Sequence, residues 1–190
     1  MPVIRKEGSD YVLQEVTNED IFAEEKILSS GLAYTFVEHP PFLNTIAPYA
    51  GLNALEVGVR VPAGNGKVAA ASREDLAEAH AVVLAEEGHE GQSYVLTGGP
   101  AVSFSDMAAI LSKISRKNVP YIPISDSDYV AATIARGTPE FAAKFILRWV
   151  QGINRGEWDQ QPGHLEELIG RKPKTTEENF REVYLKGTSK

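Results

Sequence analysis

Residues 64–99 constrain the fold most, because turn residues divide this segment into a β–α–β unit. Gly64-Asn65-Gly66 predicts a tight turn with positive φ angles, and Val68–Ala71 is short, apolar and typical of a strand. Ser72 predicts the N-cap of a helix whose first turn holds acidic residues. Gln92–Thr97 predicts a second strand, so we expect two parallel strands with a helix packed across them.

The helix after Ser72 carries apolar residues at 3.6-residue spacing, which predicts one buried face. Gly88 predicts the end of this helix. A histidine within the apolar stripe indicates a structural, half-buried role for that side chain. The stripe consists of Leu76, Ala79, His80, Val83 and Leu84.

A second helix–strand succession precedes this unit. Thr17 predicts the N-cap of a helix that ends at Gly31, and Leu32–Val37 is an apolar and aromatic run typical of a buried strand. The loop Glu38–Asn44 follows. In open α/β sheets ligands bind beyond the carboxyl ends of strands, so this loop is the first candidate for a functional site.

Helices dominate after residue 100. We therefore expect an α/β fold that combines a mostly parallel sheet with a helical C-terminal cap. Predicted elements are a helix capped by Ser103 and reaching Arg116, an edge strand over Val119–Ile124, a helix from Ser125 to Ala135, and helices over Glu140–Asn154, Leu165–Ile169 and Glu177–Tyr184.

Composition excludes several functional classes. The net charge of −7 argues against a nucleic-acid-binding protein, which would show a basic face. The chain has no cysteine, which removes disulfides, thiolate catalysis and cysteine metal sites and fits a reducing compartment. No signal-peptide pattern and no apolar run of membrane-spanning length occurs. We expect a cytoplasmic protein that binds neither membranes nor nucleic acid.

Catalytic motifs are few. The sequence contains no G-x-G-x-x-G turn, G-x-S-x-G elbow, H-E-x-x-H pair or P-loop. His39, His80, His89 and His164 are far apart in sequence, which predicts no metal site. His89 is expected to be solvated, whereas His39 follows a predicted strand beside Glu38 and is a candidate site residue.

Three stretches carry a family resemblance: residues 24–37 (EEKILSSGLAYTFV), 64–79 (GNGKVAAASREDLAEA) and 89–99 (HEGQSYVLTGG). They resemble the NmrA-like atypical short-chain dehydrogenases, in the branch of NAD(P)H-dependent quinone oxidoreductases and azoreductases. The resemblance implies a Rossmann-like sheet that binds NADP or NAD. It also implies a C-terminal subdomain over the substrate and hydride transfer to a quinone-like small molecule.

Two departures from the family change these expectations. The chain begins well inside such proteins, so the glycine-rich pyrophosphate turn is missing and the Rossmann-like sheet is expected to be incomplete. The chain alone is then not expected to act as an autonomous oxidoreductase, and NADP, NAD or no cofactor stay open as alternatives for it. Residues 1–100 would be the remnant of the nucleotide-binding sheet and residues 101–190 the substrate and cap subdomain, packed as one compact unit.

The second departure lies in the loop after the LAYTFV strand. The family has Arg-Pro-Gly or Arg-Asn-Gly there, whereas this chain has an acid and two prolines. The resulting site prediction assigns catalysis to Glu38 and His39, backbone contacts with a cofactor to Pro40 and Pro41, and substrate contacts to Phe42, Asn44 and Tyr129.

Several alternatives stay open at this point. An uncovered sheet edge predicts a homodimer through that edge, or residues 1–16 folded over it. The chain is expected to be related to NAD(P)H-dependent oxidoreductases. The alternatives are a non-catalytic binding or regulatory module, and a shortened relative with cofactor-independent chemistry at Glu38 and His39.

Overall fold

The computed structural model describes residues 2–160 and 163–185 as nine α-helices, a C-terminal π-helical segment and four short strands. The helices are α1 (Gln14–Ser30), α2 (Leu43–Ala50), α3 (Ala54–Val57), α4 (Arg73–Ala85), α5 (Phe104–Ser115), α6 (Asp126–Ala135), α7 (Glu140–Arg155), α8 (Leu165–Ile169), α9 (Thr176–Phe180) and the π-helical segment Arg181–Leu185. The strands are β1 (Phe36–Glu38), β2 (Val59–Pro62), β3 (Ser93–Val95) and β4 (Tyr121–Ile124).

Both strand pairs are parallel, which confirms the predicted α/β class. β1 pairs with β3, with Phe36 opposite Ser93, and β2 pairs with β4, with Val59 opposite Tyr121. The described strands form two separate two-stranded sheets rather than one continuous sheet. No helix in the described ranges is long and apolar enough to cross a membrane.

β1 is shorter than the predicted strand Leu32–Val37. Pairing begins where the Tyr34 carbonyl accepts from the Gly91 N–H at 2.7 Å. Gly91 has a φ of 74°, so the neighbouring chain turns away there and offers no ladder to earlier residues. Leu32 is consequently 70% exposed, and its predicted burial is wrong.

The predicted strand Val68–Ala71 does not form as a continuous strand, although all four residues are buried. Val68 makes isolated bridges with Val102 and Trp158, and Ala71 makes one with Phe42. A ladder needs successive partners on one neighbouring strand, and these partners come from separate segments. This segment therefore ties several elements together without extending a sheet.

The turn at Gly64–Gly66 uses glycine for close approach. The predicted positive φ angles are wrong, because neither glycine is among the described residues with positive φ. The Gly66 N–H donates to the Asn154 carbonyl at 3.1 Å, and a Cβ atom on Gly66 would overlap the Ile153 carbonyl oxygen. The turn thus packs directly against the backbone at the end of α7.

Three predicted serine caps are confirmed. The hydroxyls of Ser72, Ser103 and Ser125 each accept from the backbone N–H three residues later, at 3.1 Å. The predicted cap of α1 is wrong, because this helix begins at Gln14. Thr17 lies inside it, and its hydroxyl accepts from the Leu13 N–H at 2.9 Å.

The apolar stripe of α4 is buried only in its first half. Leu76 and Ala79 are 3% and 0% exposed, whereas Leu84 is 84% exposed. The helix ends at Ala85, before the predicted stop at Gly88. Its last turn therefore extends beyond the core into solvent.

Two hydrophobic clusters lie on either side of the loop after β1. The main core includes Leu43 and Val61 of the first hundred residues together with Leu111 and Ile153. The smaller cluster lies under α4 and is built from Val37, Ala71, Leu76, Ala79, Leu96, Leu165 and Ile169. The domain division at residue 100 stays a prediction.

Residues 2–4 cover one edge of β1. The His39 N–H donates to the Pro2 carbonyl and the Ile4 N–H donates to the His39 carbonyl, both at 2.9 Å. Since backbone groups alternate along a strand, these bonds leave β1 on the side opposite β3. The N-terminal residues thus occupy this edge, as one of the two alternatives predicted. The homodimer stays a prediction.

Asp75 holds the segment after α8 against α4. Its carboxylate is buried, accepts from the Lys174 N–H at 2.8 Å and pairs with Arg171 at 2.7 Å. Burial by itself raises the pKa of this carboxyl. The hydrogen bonds from Lys174, Ser72 and Arg171 outweigh burial and lower the pKa below its usual value.

We expect Gly66→Ala to lower the free energy of unfolding by about 1–3 kcal/mol, because the new methyl group overlaps backbone that cannot move freely. Urea unfolding measures this change. Gly99→Ala is the matched control, since a Cβ atom there lies 3.8 Å from its nearest neighbours. Equal stability of the two variants would contradict the packing explanation.

We expect Asp75→Asn to cost about 1–3 kcal/mol of stability at neutral pH, because the carboxylate accepts a backbone N–H and an arginine. The folded pKa lies below the unfolded value, so this contribution is present at neutral pH and is lost as pH falls below about 4. Urea titrations at neutral and acid pH test this. Glu78→Gln, at an exposed partner of Arg171, should have a smaller effect.

Candidate functional site

The loop between β1 and α2 occupies the position predicted for the site. The Leu43 N–H donates to the Ala71 carbonyl at 2.8 Å, which fixes the end of the loop beside the start of α4. Pro40 and Pro41 are buried, and Phe42 is half-buried. The two prolines lack N–H donors, so the loop presents side chains rather than backbone donors.

His39 and His80 form a hydrogen-bonded pair, with their Nε2 atoms 2.7 Å apart. His39 lies at the end of β1 and is 4% exposed, whereas His80 lies on α4 and is half-buried. The two residues are 41 positions apart, so sequence spacing gave no sign of this pair. His80 thus has a direct contact with the site, although the apolar stripe predicted a structural role.

The burial of the His39 Nδ1 atom indicates which nitrogen of each histidine carries the proton. This Nδ1 atom is buried and has no hydrogen-bond partner among the described residues. An unpartnered N–H donor costs more than an unpartnered lone pair, so we assign the lone pair to Nδ1. His39 then donates through Nε2–H to His80 Nε2, and neutral His80 carries its proton on Nδ1.

Burial, and to a smaller extent the neighbouring His80, lower the pKa of His39 to about 4. Burial also lowers the pKa of His80. Both groups are therefore neutral at physiological pH, and the pair is a hydrogen bond between two uncharged imidazoles.

Glu38 and His39 do not come together. Successive strand side chains point to opposite faces, and Glu38 lies near Arg5 and Glu24 while His39 faces His80. Burial raises the pKa of the Glu38 carboxyl, and the attraction of Arg5 opposes that rise. The catalytic assignment of the two residues stays a prediction, but any shared chemistry would need a ligand that reaches both faces.

Two cavities meet at His39 and Phe42. Cavity A has a volume of about 250 Å³ and cavity B of about 370 Å³. Cavity A is lined by Val3, His39, Pro40, Pro41, Phe42, Thr45, Tyr49, Phe145 and Trp149. Cavity B is lined by His39, Phe42, Arg73, Leu76, Ala77 and His80.

Arg73 brings a positive charge to this loop. Its guanidinium lies over the Phe42 ring, 5.0 Å from the ring centre. The loop carries an acid where the family has an arginine, and the cation comes instead from the first turn of α4, which the loop sequence does not show. A cation and an aromatic ring therefore lie together at the site.

The remaining predicted site residues lie elsewhere. Asn44 is exposed and lines neither cavity A nor cavity B. Tyr129 is buried on α6, and its hydroxyl donates to the Tyr49 carbonyl at 3.1 Å. It lines a separate cavity of about 350 Å³ between α2 and α6. Their substrate roles stay predictions.

His89 is not simply solvated, which corrects the expectation for this residue. Its Nδ1 atom lies 2.7 Å from the Tyr94 hydroxyl, and its Nε2 atom is buried. His164 accepts from the Val95 N–H at 3.0 Å. Within residues 2–160 and 163–185, no group of three or more histidine or acidic side chains is placed to hold a metal ion.

The starts of α2, α4 and α5 do not fit the pyrophosphate of a dinucleotide. A phosphate needs free N–H groups at a helix N-terminus without nearby acids. At α4 the Ser72 hydroxyl takes the Asp75 N–H, and two acids occupy the first turn. At α5 the capping box of Ser103 and Asp106 occupies the helix start, and at α2 the Leu43 N–H bonds to Ala71.

No protein-family model matches the chain. Quinone oxidoreductase 2 of Escherichia coli is 34% identical over 170 residues, which cover 89% of this chain and 59% of that protein. NAD(P)H azoreductase of Xenophilus azovorans is 32% identical over 120 residues, which cover 63% of this chain and 42% of that protein.

A solved structure shows the same similarity to quinone oxidoreductases. The crystal structure of NADPH-dependent quinone oxidoreductase from Escherichia coli, complexed with NADPH, superposes with a TM-score of 0.79 at 32% identity. The match covers 90% of this chain and 60% of that one. This chain therefore spans about 60% of the length of these quinone oxidoreductases.

The parallel strand pairs, the helices around them and this superposition define a Rossmann-like α/β fold. More closely, the chain is a homologue of the NmrA-like atypical short-chain dehydrogenases of the quinone oxidoreductase 2 type. The resemblance found in the sequence is confirmed.

We expect the stability of the protein to fall as pH drops from about 6.5 towards 4, because His39 is neutral when folded and the unfolded chain binds a proton more readily. The loss should be on the order of 2–3 kcal/mol at its limit. Thermal unfolding across this pH range measures it. His39→Leu should flatten the pH dependence, whereas His80→Gln should keep most of it; an unchanged slope in His39→Leu would contradict this assignment.

Proposed function

We propose that this chain provides the acceptor-binding part of an NAD(P)H-dependent reductase of quinone-like small molecules. We propose also that these 190 residues do not bind the cofactor on their own. The observation that carries the proposal is cavity A, an apolar cavity beside the β1–α2 loop in a homologue of quinone oxidoreductase 2. The family relation suggests hydride transfer from the nicotinamide as the reaction.

The lining of cavity A suits a flat conjugated ring. Pro40, Pro41, Phe42, Phe145 and Trp149 supply apolar surface, and aromatic side chains stack on aromatic ligands. Trp149 is itself held in place by stacking on buried Trp158 at 5.0 Å between ring centres. A pre-positioned aromatic wall loses little entropy when a ligand binds.

The polar groups of cavity A are few and uncharged at neutral pH. Burial raises the pKa of Tyr49, although a hydrogen bond with Thr45 opposes that rise, so the phenol stays protonated. His39 is neutral for the reason given above. A neutral acceptor can therefore enter this cavity without meeting an unpaired charge.

Cofactor binding is the second half of the proposal. The homologous crystal structure holds NADPH, whereas the starts of α4 and α5 in this chain are occupied by acids and by internal hydrogen bonds. We therefore expect no dinucleotide binding by this chain alone at millimolar NADPH. Calorimetric titration tests this, and measurable NADPH binding would overturn the claim that these residues lack the cofactor site.

We expect the chain to bind 1,4-naphthoquinone and Phe145→Ala to weaken that binding about tenfold, because the variant loses an aromatic wall that belongs to cavity A and not to cavity B. Calorimetric titration measures the affinity. Phe141→Ala on α7 is the matched control, since Phe141 is 78% exposed and lines neither cavity. No binding by the unaltered chain, or equal loss in both variants, would overturn the assignment of cavity A.

Cofactor-independent proton-transfer chemistry at His39 is a second candidate, favoured by the buried pair of neutral imidazoles. Turnover of an acceptor without NADPH that is abolished in His39→Ala would favour it over the first proposal. A purely regulatory binding module stays an alternative, and no contact among the described residues favours it.

A further inference from the structure

Cavity B differs from cavity A in charge. Its lining contains one cation, Arg73, and no carboxylate. The other described cavities with charged linings include aspartate or glutamate side chains among their lining residues. A ligand in cavity B therefore meets net positive charge, although the whole chain carries −7.

Arg73 is not engaged by an acid. Arg5, Arg155, Arg171 and Arg181 all form ion pairs with carboxylates, and Arg73 forms none in the described part of the chain. Its contact is the face of Phe42 at 5.0 Å. A guanidinium stacked on a ring keeps its edge N–H groups free to donate to an anion.

His80 supplies a second donor to the same cavity. Its Nε2 accepts from His39, so its proton lies on Nδ1. Arg73, Ala77 and His80 are spaced at i, i+4 and i+7, which places both donors on one face of α4. Beneath them, Phe42, Leu76 and Ala77 form an apolar floor.

We propose that cavity B selects acceptors that carry a negative charge beside an aromatic ring, such as aromatic carboxylates or ionised hydroxyquinones. The inference goes beyond the proposed function, because it adds a charged class of acceptor at cavity B, which shares only His39 and Phe42 with cavity A. The ring lies against Phe42 and Leu76, and the anionic oxygen accepts from the Arg73 guanidinium and from His80. Neutral rings of the same shape lose these charge-assisted hydrogen bonds.

The attraction is local and should depend on salt. The net negative charge of the chain repels anions at long range, so the preference comes from contacts inside the cavity. Arg73 is exposed, and added salt screens a partly solvated ion pair. The preference for anions should therefore weaken between low and high ionic strength.

Calorimetric titration with 1-naphthoate and 1-naphthamide tests this inference, since the two probes share a ring and differ in charge. We expect naphthoate to bind about fivefold more tightly. Arg73→Gln should reduce naphthoate to the affinity of naphthamide and leave naphthamide unchanged. Arg116→Gln, at an arginine outside both cavities, should retain the difference.

Equal affinities of the two probes, or an undiminished preference in Arg73→Gln, would overturn the inference. Its failure is distinguishable from that of the proposed function, because neither probe is reduced and 1,4-naphthoquinone carries no charge. A chain that binds 1,4-naphthoquinone but shows no preference between the probes would refute only the charge selection in cavity B.

Discussion

The hydrogen bond from the Leu43 N–H to the Ala71 carbonyl is the contact on which the site depends. It joins the end of the β1–α2 loop to the residue that precedes the Ser72 cap of α4. Without it the loop and α4 would be connected only through side chains. With it, Phe42 lies under Arg73, and His39 at the end of β1 reaches His80 on α4.

The same contact explains why two cavities share a wall. The loop crosses from the smaller cluster, which contains Val37, to the main core, which contains Leu43. Its two prolines are buried and lack N–H donors, so the crossing is stiff and buries no unpaired N–H at these two positions. His39 and Phe42 therefore form a partition, with an uncharged cavity on one side and a cationic cavity on the other.

Local sequence signals predicted the secondary structure best where a side chain near the helix start decides the outcome. The caps at Ser72, Ser103 and Ser125 form as predicted, because a hydroxyl and an N–H three residues apart need no other partner. Strand predictions were weaker. Val68–Ala71 has strand composition, but whether it forms a strand depends on which chain segments lie beside it.

Glycines illustrate the same limit. Gly31 ends α1 with a φ of 73°, as its position predicted, whereas Gly66 is required for close contact with the backbone of Ile153. A sequence shows that a glycine is present and not which of these reasons applies. The edge of β1 is a further case, since only the folded chain shows residues 2–4 lying there.

The sequence by itself determined the α/β class and the family relation, and it predicted the loop at which the candidate site lies, because periodicity, caps and family motifs are local. It could not determine that His39 meets His80, that Glu38 faces away, or that the cation of the site is Arg73. The direction of Glu38 follows from the alternation of side chains along the strand. The two contacts, His39 with His80 and Arg73 with Phe42, join residues about 30 or more positions apart in the sequence. Only the packing of α4 against the β1–α2 loop brings them within hydrogen-bond or stacking distance.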